Sequence, residues 1–125
     1  MPKVSKESAD RVVDAGVMIG RYSELDGYNV GFEHFREDVD VAPLLVGLPD
    51  DHCQSPHWGY VVSGRITFHF ADRSEIYAAG DAYYAPAGHS TTVDAGTELV
   101  EFSPVDDYNR TMEIIARNLE ALATA

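Results

Sequence analysis

At 125 residues the chain has room for one domain and little beside it. At that size roughly two thirds of the extended chain's surface can be buried, so neither disulfides nor a metal is needed merely to fold. Twenty-one Asp and Glu against nine Lys and Arg leave a formal charge of -12, which repels phosphate backbones and anionic bilayers and argues against nucleic acid as a partner. The one cysteine, Cys53, forbids an intramolecular disulfide, and the opening MPKVSKESAD lacks the apolar stretch of a secretory signal. No run approaches the roughly 18 apolar residues that cross a bilayer, so the expectation is a cytoplasmic protein without a membrane partner.

In chain order, the first predicted element is a short helix from Ser5 to Ala15, with Ala9, Val12 and Val13 at helical spacing, Ser5 as N-cap and Gly16 as stop. From Val17 the pattern turns to short runs of β-branched and aromatic residues. They are separated by Asp26-Gly27, Pro49-Asp50-Asp51, Ser63-Gly64, Ala71-Asp72-Arg73 and Ala79-Gly80-Asp81, the rhythm of an antiparallel sheet. In RITFHFA the period-2 alternation predicts Ile66, Phe68 and Phe70 on the inward face and His69 with the polar set. In NVGFEHF the same parity puts His34 on one face with Val30 and Phe32, among apolar neighbours. Tyr83 and Tyr84 fall on opposite faces, so at most one of them looks inward. The last element, from about Asp106 to Leu122, carries Tyr108, Met112, Ile115, Leu119 and Leu122 as one apolar stripe, with Asp106 and Asp107 where carboxylates complement a helix N-terminus.

The chemistry concentrates between Leu48 and His89. Six residues separate His57 from Gly64. After 15 further residues, Gly80, Pro86 and Gly88 follow in a glycine, five residues, proline, one residue, glycine pattern that runs directly into His89. Glycine suits turns that require positive φ, and Pro86 presets φ before the second turn. If residues 53 to 57 run extended, Cys53, Ser55 and His57 share the inward face, while His52 and Trp58 point away. Pro56 can break that parity, which keeps His52 as a reserve.

These spacings resemble the two motifs of the cupin superfamily, with the shortest common distance between them. The resemblance implies an all-β, antiparallel, jelly-roll-like β-barrel over about 17–103 within a single domain of residues 1–125, flanked by the short N-terminal helix and the C-terminal amphipathic helix over about 106–122. The ligand positions depart from the family. His57 occupies the place of its glutamate, Cys53 that of its second histidine, and Thr91 the formal place of its last histidine, two residues beyond His89.

The implied metal set is Cys53, His57 and His89, with His52 or His34 as further candidates. A thiolate with two imidazoles suits a divalent transition metal, zinc first and iron next. Two functions are open at this point. One is a metal-dependent enzyme acting on a small molecule at an open coordination position, and the other a non-catalytic module that binds or senses a small ligand or metal. The resemblance also implies a homodimer.

Overall fold

The computed structural model of the protein describes residues 2–123. Its strands are β1 (Arg11–Asp14), β2 (Met18–Leu25), β3 (Tyr28–Phe35), β4 (Val39–Asp40), β5 (His57–Ser63), β6 (Arg65–His69), β7 (Ser74–Ala78), β8 (Ala82–Ala85), β9 (Ser90–Val93) and β10 (Glu98–Pro104). One helix, α1 (Val105–Ala123), ends the described chain, and two 3-10 turns, Ala42–Leu44 and Pro49–Asp51, lie between β4 and β5.

The strands form a six-stranded sheet in the order β1-β2-β3-β10-β5-β8 and a four-stranded sheet in the order β4-β9-β6-β7. The expected closed barrel is therefore a two-sheet sandwich in its strand pairing. Phe35, Val61, Tyr83, Ala85 and Leu99 from the large sheet meet Ile66, Phe68 and Val93 from the small one, and these side chains make the core. Phe68, 1% exposed, sits at the middle of it, and burial of a side chain that size stabilises by about 1.5–3 kcal/mol.

The turn between β5 and β6 shows why glycine stands at residue 64. Its φ is +79°, and a Cβ there would lie 2.5 Å from the Thr97 backbone, so neither the conformation nor the space admits a side chain.

Two expectations are corrected. There is no N-terminal helix among the described residues: Ser8 N–H closes a turn onto Ser5 O at 3.2 Å, and Arg11–Asp14 pair antiparallel with β2. Ala9, Val12 and Val13 make too narrow a stripe to bury. An edge strand instead satisfies one row of backbone groups on β2 and suits the β-branched pair. In β3 the parity holds but the face is reversed: Gly31, Glu33 and Phe35 look between the sheets, and His34 is exposed on the outside.

Helix α1 lies against β3, β10 and the Ala42–Leu44 turn. Asn118 Nδ2 donates to Leu44 O at 2.7 Å and Val46 O at 2.9 Å, which ties the helix to that connection. The predicted stripe is covered only in its first half: Tyr108, Met112 and Ile115 are half-buried, whereas Leu119 and Leu122 are exposed. The outer face of the large sheet also exposes apolar rings, with Trp58 tilted against Tyr84 at 5.0 Å between centroids and Tyr28 edge-on to Trp58 at 6.1 Å.

Candidate metal centre

Residues 53–57 leave the second 3-10 turn and enter β5 with Cys53, Ser55 and His57 all buried and Trp58 exposed, the alternation that the sequence parity predicts. Cys53 is held in place by the chain that follows Gly88. Its N–H donates to His89 O at 2.7 Å, and its own carbonyl accepts from Gly88 N–H at 2.7 Å. This small antiparallel bridge sets the cysteine and His89 side by side, although they are far apart in sequence.

The structure brings the three candidate side chains together. The nearest ligand-capable atoms of Cys53, His57 and His89 all lie within 4.8 Å of one another, Cys53 Sγ is 3.7 Å from His57 Nε2, and the two imidazole rings are 5.0 Å apart. With bonds of about 2.3 Å to sulfur and about 2.0 Å to nitrogen, a tetrahedral sulfur-to-nitrogen edge is about 3.5 Å, so this spacing fits one small ion.

The other nitrogen of each ring is occupied. His89 Nδ1 donates to Pro86 O at 2.8 Å, and because a carbonyl only accepts, its proton is on Nδ1 and the Nε2 lone pair is free. His57 Nδ1 lies 2.7 Å from Ser103 Oγ and 3.5 Å from Glu101 Oε1, and a proton on Nδ1 leaves Nε2 facing the cysteine sulfur. Such outer partners fix tautomer and ring orientation at metal sites.

Burial pushes the His57 pKa down to about 4. Burial, reinforced by His57, does the same to His89, against the opposing pull of the Pro86 carbonyl. Both rings are therefore neutral at physiological pH, the form that ligates. Burial raises the Cys53 thiol pKa, so the sulfur stays protonated until a cation takes the proton's place. The donor set fits a borderline-soft divalent ion.

Other predicted candidates lie elsewhere. His52 stands at the end of the 3-10 turn outside the cluster. His34 faces an outer groove with Lys6, Ile19, Arg21 and Glu98. His69, which is no candidate and which the alternation puts with the polar set, is bonded through both ring nitrogens, to Ser74 Oγ and Thr92 Oγ1, each at 2.9 Å.

Sequence reasoning missed the polar wall beside the cluster. Across five strands the register places Tyr22, Gly31, Glu101, Gly59 and Tyr83 in one row. The two tyrosine rings lie over the glycines: a Cβ on Gly59 would be 2.4 Å from the Tyr83 ring, and one on Gly31 2.8 Å from Tyr22. Each hydroxyl donates to a carboxylate, Tyr22 to Glu33 Oε2 at 2.7 Å and Tyr83 to Glu101 Oε2 at 2.6 Å. Burial, aided for Glu33 by the charge of Glu101, pushes both carboxyl pKa values up to about 7. The readable signal was glycine inside strands, which marks close approach of another group.

The comparisons with known proteins agree with this architecture. Residues 39–99 match the family described as Cupin domain, a span that holds all three clustered side chains. The chain therefore carries a small cupin domain. Among solved structures, a protein of unknown function from Rhizobium leguminosarum bv. viciae 3841 superposes with a TM-score of 0.58 at 14% identity, over 82% of this chain and 95% of that one. An RmlC-like cupin from Shewanella frigidimarina NCIMB 400 gives 0.54 at 16% identity over 81% and 88%. A putative ethanolamine utilization protein Q from Salmonella typhimurium LT2 gives 0.52 at 13% over 70% and 69%. At such identities the likeness is one of fold. No curated protein is significantly similar in sequence, and no described helix is long and apolar enough to cross a membrane.

Proposed function

We propose that the chain works as one domain that holds a single divalent transition metal ion, zinc in first place and iron next, through Cys53 Sγ, His57 Nε2 and His89 Nε2. On this reading it acts as a metal-dependent enzyme on a small molecule. The observation that carries the proposal is the convergence of a thiol and two neutral imidazoles within 4.8 Å, each imidazole engaged through Nδ1 by a polar group behind it. Three protein ligands are the donor count of catalytic rather than structural zinc sites. When bound, such an ion supplies a Lewis acid that polarises a carbonyl or lowers the pKa of a bound water toward about 7.

The chain's own residues do the rest. Ser103 and Glu101 hold the His57 ring, the Pro86 carbonyl holds His89, and Phe68 and Phe70 pack their ring edges or faces about His89 and keep that side dry. Pairing of two copies through the exposed face of Trp58, Tyr60, Val62 and Tyr84 completes the reading. Sedimentation of the protein as a monomer at micromolar concentration would refute that part.

The metal proposal is tested by elemental analysis of gently purified protein. It should contain close to one zinc or iron per chain, and Cys53→Ser and His57→Ala should each lose it while the far-ultraviolet circular dichroism of the sheets persists. Full metal content in either variant would show that the ligands are other residues.

A further inference from the structure

Thr111 is the buried residue of α1, 6% exposed, on a helix whose half-buried side includes the apolar Tyr108, Met112 and Ile115 as well as the polar Asn118. A threonine inside a helix ordinarily turns its hydroxyl back to a carbonyl of the preceding turn. Here the hydroxyl is directed across the gap between helix and sheet, with Oγ1 3.9 Å from Cys53 Sγ. The same sulfur lies 3.8 Å from Ser55 O and 3.7 Å from His57 Nε2, so three polar groups surround it and the helix supplies one of them. The Ser55 carbonyl can only accept. With a metal bound, the sulfur has no proton, and Thr111 is then the hydroxyl donor among the three.

We infer that Thr111 is a positioning residue of the centre, whose hydroxyl donates to the Cys53 thiolate and makes α1 one wall of the site. This rests on the metal reading above and extends it by one residue that carries no ligand bond. Two physical consequences follow. A hydrogen bond lowers the energy of the sulfur lone pairs and offsets part of the cost of a buried thiolate, so metal affinity depends on it. Metal occupancy and the docking of α1 are also coupled, because the helix presents its hydroxyl only when seated against β10 and β3.

The test is a titration of the full chain with cobalt(II) alone, which reports a sulfur ligand as a charge-transfer band in the near ultraviolet. Wild type should show the band. Thr111→Val keeps the shape and removes the hydroxyl; it should bind cobalt about tenfold more weakly and move the band to longer wavelength. Thr111→Ser keeps the donor and should restore both the affinity and the band position. Thr111→Ala serves as a second hydroxyl deletion should the valine variant fold poorly, with the same loss expected.

A purely packing role would weaken binding without moving the band, and that result, or an unchanged titration in the folded valine or alanine variants, overturns the inference while leaving the metal reading intact. A wild-type protein that binds cobalt without any sulfur band overturns the metal reading itself and this inference with it.

Discussion

The interior of the sandwich holds two polar regions in which the same force has opposite results. Around Cys53, His57 and His89, burial holds the imidazoles neutral, with pKa values pushed down to about 4, and so leaves lone pairs aimed at a common point. Around Glu33 and Glu101, burial pushes the carboxyl pKa values up to about 7 and favours the protonated acids. One region offers electron pairs to a cation, and the other stores protons between two tyrosine hydroxyls. Burial thus shifts each of these groups toward its uncharged form, and the chemical use of a site depends on which form that is.

Phe68 is the wall the two regions share. Its ring is 4.9 Å from His89 and 6.3 Å from His57 on one side, and 5.4 Å from Tyr83 on the other. Phe68→Ala should give the largest effect, a loss of about 3–5 kcal/mol in denaturant unfolding, because it opens a cavity that admits water to both regions. A loss below about 1 kcal/mol would mean that the sheets close over the gap and that the regions do not depend on a common dry wall.

A smaller effect sharpens the contrast by pH. The Glu33 carboxyl has a folded value of about 7 against an ordinary 4.5, raised first by burial, then by the charge of Glu101, and opposed by the Tyr22 hydrogen bond. The folded state therefore binds more protons than the unfolded one between those values. Its contribution is fully present below pH 4.5 and is lost as the pH rises through about 7. Glu33→Gln cannot ionise, so the melting temperature of the metal-free variant, relative to wild type, should climb from pH 4.5 to pH 8. The two histidines bias stability the other way: their contribution is fully present above pH 6.5 and lost as the pH falls toward about 4. A constant difference between variant and wild type across that range would show that Glu33 is not held protonated by the fold.

Much of the architecture could be read from local pattern. The alternation in β6 put Ile66 and Phe68 in the core, and the parity argument set Tyr83 and Tyr84 on opposite faces without saying which is inward; the structure buries Tyr83 and exposes Tyr84. The same argument aligned Cys53, Ser55 and His57, because a strand face is a matter of counting by two. Counting does not say how far along a face burial extends, and that is where His34 misled: burial falls from Val30 through half-buried Phe32 to exposed His34, while Glu33 turns to the other face and meets the Tyr22 hydroxyl. Nothing in the residue type announces a half-buried glutamate bonded to a tyrosine, since the partner comes from another strand and glycines make room for its ring. Thr111 was hidden for a related reason. On a helix read for its apolar stripe, a threonine counts as an interruption, and only the packed structure shows it meeting the sulfur. The N-terminal segment failed through length: a few apolar residues at helical spacing are weaker than one available sheet edge.

The central claim is that Cys53 and the two histidines share one ion, and X-ray absorption at the metal edge of the purified protein tests it most directly. The account predicts, for zinc, one sulfur neighbour at about 2.3 Å together with nitrogen or oxygen neighbours at about 2.0 Å, two of them with the outer-shell scattering of imidazole. A bound metal with no sulfur in its first shell would contradict it.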